Sequence, residues 1–226
     1  MLLERRIYTL QPGKRHAFMQ AQIDRGFELI APIAQRLVGY FVDERDDGDR
    51  IVHLYRFDDF ADWQQRLHGL YGVPALSPYF ASVRAVMQRQ ENDFFFPAPN
   101  KALTPHWGNG NDWLPAQGAL FTPQDVETLR IVQDTLYLRP GKTPAFFASV
   151  AEHSQSTTGL LGWFISVTGR LHRAVRYWVH EPTLEPRAPS AKELALHMPE
   201  LVADHESTLL SPVLEIPPMS PMLFTT

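Results

Sequence analysis

The sequence predicts an α+β fold in which two β-α-β-β-α-β units follow one another in a single chain and pack sheet against sheet. Three observations lead there. TLQPGK at residues 9–14 returns as YLRPGK at 137–142. LVGYFVDE at 37–44 is answered by LLGWFISV at 160–167, so that Gly39-Tyr40-Phe41 matches Gly162-Trp163-Phe164. The third observation is physical: an antiparallel sheet with its helices on one side leaves an apolar face bare, and a second copy in the same chain covers it without association from dilute solution.

The first unit is read in order. Arg5 to Leu10 is β-rich and stops at Pro12-Gly13, where proline removes a ladder donor and glycine permits a tight turn. From His16 to Ile33 the apolar residues Met19, Ile23, Phe27 and Ile30 recur at helical steps, which predicts one continuous amphipathic helix. Leu37 to Glu44 and Ile51 to Phe57 are rich in β-branched and aromatic residues, and the Asp47-Gly48 step between them suits a reversing turn. Asp58 and Asp59 offer capping oxygens to a second helix carrying Phe60, Trp63, Leu67 and Leu70. A short helix over Tyr79 to Met87 and a strand over Gln90 to Phe96, halted by Pro97, complete the unit.

Residues 97 to 124 change character: prolines 97, 99, 105, 115 and 123 surround GNGND, no period is sustained, and a connector is expected. Trp107 and Trp113 argue that parts of it lie on the domains. Beyond it, LRIVQDTLYLRPGK mirrors the first strand and its turn, and Pro144 to Val150 starts a helix. RAVRYWVHE supplies a hairpin strand, SAKELALHMPELVADH a helix with Leu194 and Leu201 one heptad apart, and LSPVLEIPPM a closing strand. The expected division is a unit at 1–98, a connector at 99–124 and a diverged unit at 125–226.

Composition narrows the function. At 226 residues, 44% hydrophobic, with a net charge of −4 and a pI near 6.1, the chain has no broad positive field for a phosphate backbone, so no nucleic-acid partner is expected. It has no apolar run of bilayer length, and MLLERRIY puts charges where a signal peptide needs an apolar stretch. A cytoplasmic protein without a membrane partner is therefore expected. With no cysteine, disulfides, thiolate metal sites and cysteine nucleophiles are excluded.

ERRIYTLQPGK, LVGYFVDE, VHLYRF and QENDFFFPAP, in that order and at those spacings, resemble the NIPSNAP family of the dimeric α+β barrel superfamily over the whole first unit. Residues 129–218 resemble a diverged copy of the same domain. The resemblance implies tandem ferredoxin-like domains forming an intramolecular dimeric α+β barrel, a pseudo-dimer, with further homodimerisation left open. Other barrels of the superfamily include cofactor-free monooxygenases, isomerases and haem enzymes, so the fold permits catalysis without implying it.

His53 lies mid-strand in VHLYRF, with Tyr55 and Phe57 on its face and Arg56 on the other. A neutral imidazole there takes or delivers a proton; its bland alternative is a packed histidine hydrogen-bonded to a neighbouring element. Arg6 and Tyr8 share a face of strand one, Tyr40 sits on the hairpin, and Glu91-Asn92 open the last strand. His53, Tyr8 and Tyr40 form the candidate catalytic set, and Arg6, Tyr55, Glu91, Asn92 and Trp63 the candidate ligand-binding set, in a pocket between sheet and helices. Arg6 would hold a carboxylate or enolate oxygen, to which Tyr8 or Tyr40 would donate a hydrogen bond. The competing arrangement is an Arg6–Glu91 ion pair with tyrosines filling the core. Matching Tyr55 to Tyr177 puts Val175 at the place of His53, and matching Pro97 to Pro217 puts Ser211-Pro212 at the place of Glu91-Asn92. The site is therefore expected in the first unit alone.

His197, Glu200 and Asp204 would share one helical face near His205, a pattern that on an amphipathic helix is a solvated face, and no metal is expected. DDGD lacks the downstream glutamate of a calcium loop, GNGN lacks the pattern of a phosphate cradle, and there is no Gly-x-Ser-x-Gly elbow. Nothing selects a histidine for haem, so no cofactor is expected. The sequence thus predicts a protein that binds a small organic molecule, with proton transfer or cofactor-free chemistry as its enzymatic form. The alternative is a non-catalytic interaction module docking through Trp107 and Trp113. The first reading calls for a cavity of about a few hundred cubic ångströms lined by His53 and at least one of Arg6, Tyr8 or Glu91.

Overall fold

Each strand ends where its sequence can no longer serve a ladder. The structure, a computed structural model, describes residues 1–46, 49–105, 125, 127–153, 159–180 and 189–213. β1 (Leu2–Leu10) stops short of Pro12, Gly13 takes a φ of 72°, and α1 (Arg15–Arg25) begins. The helix expected to run to Ile33 breaks at Gly26, which has a φ of 70°. The chain resumes as a 3₁₀ turn and α2 (Ala31–Ala34), because a left-handed glycine terminates a helix whatever the apolar period beyond it. β2 (Leu37–Asp43) and β3 (Arg50–Phe57) form the hairpin; its Asp47-Gly48 step lies outside the described residues. The Asp59 side chain accepts from the Asp62 backbone N–H at 2.8 Å and starts α3 (Phe60–Tyr71), followed by α4 (Ser77–Val86) and β4 (Met87–Pro97). Most of the expected connector, with Trp107 and Trp113, lies outside the described residues.

The second half repeats the order as β5 (Ile131–Leu138), α5 (Thr143–His153), β6 (Leu160–Ser166), β7 (Arg173–Val179), α6 (Ala191–His197) and β8 (Val202–Pro212). Gly141 takes a φ of 76° after β5, so the repeated Pro-Gly step performs the same turn twice. The end of the chain departs from expectation. α6 stops at His197, since Pro199 cannot continue it, and VADHESTLLSP is the last strand. The helical face expected for His197, Glu200 and Asp204 therefore does not form, and the closing strand begins ahead of LSPVLEIPPM.

The strands close an eight-stranded antiparallel barrel in the order β1-β3-β2-β8-β5-β7-β6-β4. The halves join through β2 and β8, with Phe41 opposite Pro212 and Asp43 opposite Leu210. They join again through β4 and β6, with Phe95 opposite Ser166 and Pro97 opposite Phe164. Closure removes the free edges that would otherwise recruit other chains. Inside, Leu3, Phe41, Leu54 and Phe95 of the first half meet Ile131, Phe164, Val175 and Tyr177 of the second. Two further cores lie outside the barrel wall, under the helices of each half. At one end of the barrel Asp93 accepts from Arg5 at 2.5 Å and from Arg173 at 2.7 Å, one cation from each half. Among the described residues no helix is long and apolar enough to cross a membrane.

Phe95 is fully buried in the barrel interior on a strand that joins the halves. Phe95→Ala is expected to cost about 3–5 kcal/mol in urea denaturation, with both halves lost in one transition. Two separate transitions would show that the halves do not depend on a shared core.

Candidate functional site

Cross-strand pairing fixes which side chains meet. Arg6 of β1 stands opposite His53 of β3, and Tyr40 of β2 stands opposite the same histidine on the other side. Opposed residues share a face, and the period of two adds Glu4, Tyr8 and Tyr55 to it. Phe18 and Met19 of α1 and Val83 of α4 pack over this face. The His53 ring lies 3.8 Å from that of Tyr40 and 4.8 Å from that of Tyr8, centroid to centroid. The Arg6 guanidinium sits 4.6 Å above the Tyr55 ring, and the Tyr40 and Tyr55 hydroxyls are 3.3 Å apart.

A cavity of about 110 Å³ separates this face from the helices; Arg6, Tyr8, Tyr40, His53 and Tyr55 line it, and α1 and α4 contribute Arg25 and Tyr79. It is smaller than the expected few hundred cubic ångströms because Phe18, Leu70 and Phe80 also reach into the space between sheet and helices. His53 is 3% exposed, and neither ring nitrogen has a hydrogen-bond partner among the described residues, which removes the packed, hydrogen-bonded alternative. Burial, then the charges of Arg6 and Arg25, hold its pKa well below the usual histidine value, so the ring is neutral at neutral pH. Burial pushes the Tyr8 and Tyr55 phenols up, so they remain protonated and can donate. Burial opposes the charge on Arg6, but the Glu4 carboxylate at 2.7 Å, together with the Tyr8 and Tyr55 oxygens, outweighs it and holds the guanidinium pKa well above its ordinary value. The arrangement offers a neutral proton acceptor, phenolic donors and a fixed cation around one small space.

Five of the eight sequence-predicted residues come together: His53, Tyr8, Tyr40, Arg6 and Tyr55. The other three do not line the cavity. Glu91 stands opposite Ile7, hence on the barrel-interior face, and pairs with Arg89 at 2.9 Å, so the Arg6–Glu91 pair does not form. Asn92 shares the face of Arg6 but donates to Glu4 at 2.6 Å. Trp63 packs edge-on against Phe94, with centroids 5.1 Å apart. Sequence reasoning missed Glu4, although its two-residue spacing from Arg6 was a readable signal. It also missed Arg25, which no strand period points to.

The same positions in the second half are closed. Carrying the Pro-Gly and Gly-aromatic-Phe anchors across, Asp134 stands opposite Arg176, and Arg176 opposite Trp163. Arg176 therefore takes the place of His53, not Val175, and Ser207, opposite Asp134, takes the place of Asn92. The sequence match through Tyr177 is one residue out because the shared tyrosine misleads: both hairpins carry the same bulge, so Tyr55 corresponds to Trp178, and Tyr177 to Leu54, with which it shares the barrel interior. The match through Pro217 fails because β8 ends at Pro212. Asp134 accepts from Arg176, from the Trp178 indole at 2.8 Å and from Ser207 at 2.5 Å, and Arg176 also donates to the Pro189 carbonyl at 2.6 Å. The second half thus carries a satisfied polar cluster where the first carries an unsatisfied imidazole.

Two measurements follow from this contrast. Asp134→Ala leaves Arg176 buried without its counter-charge and is expected to cost about 3–5 kcal/mol, most of it recovered by adding Arg176→Met. A small loss in the single variant would show that Arg176 relaxes to solvent. For His53, the folded pKa lies below the unfolded value of about 6.5, so the unfolded chain binds more protons and stability is lost as pH falls from there. Between about pH 7 and pH 5, urea denaturation is expected to show wild type losing more stability than His53→Gln; equal losses would contradict a buried, neutral ring.

A family model described as NIPSNAP matches residues 3–100. No curated protein matches the sequence. Among solved structures, a NIPSNAP family protein of unknown function from Agrobacterium tumefaciens is 30% identical, the alignment covering 43% of this chain and 88% of that one, with a TM-score of 0.40. A NIPSNAP domain protein from Burkholderia xenovorans is 25% identical over 44% of this chain and 96% of its own, with a TM-score of 0.40. A candidate monooxygenase from Fusobacterium nucleatum is 13% identical over 93% of this chain and 91% of its own, with a TM-score of 0.59, a likeness of fold that spans both halves. On the family match over residues 3–100 and the 30% identity across most of a family member, this chain belongs to the NIPSNAP family.

Proposed function

We propose that the protein binds a small organic molecule in the cavity between the first-half sheet and its helices, and that His53 exchanges a proton with it. One observation carries this reading: a buried imidazole with both nitrogens unpartnered lines a cavity, whereas the matching position of the second half is filled by a satisfied ion pair. Buried polar atoms are satisfied as a rule, and an exception beside a cavity is what a missing ligand leaves behind. On this reading residues 1–98 form the binding unit, 99–124 the connector, and 125–226 a structural partner.

The residues have separate roles. His53 accepts a proton, Tyr8 and Tyr55 donate hydrogen bonds to the developing charge, and Arg6, fixed by Glu4 and Tyr55, supports it electrostatically. With its pKa held well below the usual histidine value, His53 is a weak base. A bound anion would oppose the field of Arg6 and Arg25 and raise the basicity of His53, so binding and proton uptake are linked.

The test is a thermal-shift screen of small acids, phenols, amides and neutral aromatics against wild type and Val83→Phe, which puts a ring into the cavity from α4. At least one compound is expected to raise the Tm of wild type, in proportion to ln(1 + [L]/Kd), and to leave the variant unmoved. No shift with any compound, or equal shifts in both proteins, would sink the reading.

A further inference from the structure

Resting on that reading of the cavity, we infer that its ligand is a small monocarboxylate and that Arg25 is the residue that recognises its charge. The side chains lining the cavity include three guanidinium groups, Arg6, Arg25 and Arg84, and no carboxylate. Arg6 is already matched by Glu4 at 2.7 Å. Arg84 is exposed, so its charge is hydrated and screened. Arg25 is unlike both.

The Arg25 Nε donates to the Gly26 carbonyl at 3.1 Å, and the guanidinium carbon lies 4.5 Å from the centroid of the Tyr79 ring. Tyr79 is itself held by donating to Gln22 at 3.1 Å, so the guanidinium rests on a fixed platform. Its Nη2 is nevertheless buried without an acceptor among the described residues. The end of α1 explains a cation at this position, because the last turn carries partial negative charge. It does not explain a buried guanidinium nitrogen left unpaired at a cavity wall. Such a nitrogen is expensive to bury, and an anion in the cavity would supply its acceptor.

Size and charge restrict that anion. A cavity of 150 Å³ takes benzene, so about 110 Å³ admits roughly four to six non-hydrogen atoms. One guanidinium with a buried, unpaired nitrogen balances one negative charge, whereas a phosphate dianion needs more donors than this wall offers. Phe18, Ile33 and Leu70 line the same cavity and suit a short apolar body. Tyr8, Tyr40 and Tyr55 then lie on the His53 side of the bound molecule, and the carboxylate on the Arg25 side.

The experiment titrates the protein with propionate and butyrate and with their neutral isosteres propionamide and butyramide, following binding by ligand-observed NMR. Wild type is expected to prefer a carboxylate over its amide by about tenfold to a hundredfold, the range for a charge-assisted hydrogen bond. Arg25→Gln is expected to lose that preference while binding the amide as wild type does, and Arg25→Lys to keep part of it. Amides that bind as tightly as acids, with Arg25→Gln changing neither, overturn the carboxylate assignment and leave the cavity reading standing. A carboxylate preference lost in Arg84→Gln and kept in Arg25→Gln overturns the role of Arg25. No binding by any of the four overturns both.

Discussion

The inner face of each four-stranded sheet is largely apolar and has to be covered, and nearly everything else about the molecule follows from how that is done. Leu3, Phe41 and Phe95 have no helix to pack on, since the helices of their half occupy the other side. They find Ile131, Phe164 and Val175 instead, and edge pairing of β2 with β8 and β4 with β6 turns two facing sheets into one closed wall. A barrel of this width is filled by side chains, and the larger cavity among the described residues lies outside the wall, beneath the helices. His53 belongs to that outer layer, and its neighbours follow from strand register alone.

Strand register is also why so much was readable in advance. A period of two assigned His53, Tyr55 and Phe57 to one face and Arg56 to the other, and the adjacency of the first and third strands brought Arg6 to His53. What escaped was whatever depends on interruptions of a period. A left-handed Gly26 divides the first helix, and Pro199 ends the last. Cross-strand pairing, Tyr40 with His53 and Trp163 with Arg176, decides that Arg176 and not Val175 corresponds to His53. The Arg6–Glu91 pair failed for a reason that the period of two does carry: Glu4, two residues away on the same strand and face, already holds Arg6. Trp63 was a sound core prediction in the wrong role, since helical spacing gives a buried stripe without saying which of its members border an empty space.

The two halves fill one scaffold position in two ways, with a satisfied ion pair in the second and an unpartnered imidazole in the first. In the second, Asp134, Arg176, Trp178 and Ser207 satisfy one another in a dry layer beside Trp163. In the first, the corresponding layer keeps a stacked imidazole without a partner and a guanidinium nitrogen without an acceptor. Within this layer polar satisfaction fails in the first half and holds in the second, and such breaches concentrate where a molecule does its work. Membership of the NIPSNAP family carries the first half's fold; the polar layer distinguishes the halves from each other.

Fusion also sets a number. A barrel assembled from two identical chains repeats every feature of its outer layer by symmetry, so any recess comes in pairs. Here the closed cluster at Arg176 occupies the place where the twin would be, leaving a single His53 recess for the two sheets. A ligand bound there, on the reading proposed above, would occupy one site per chain, follow a simple hyperbola, and have no equivalent neighbour within the barrel through which cooperativity could arise.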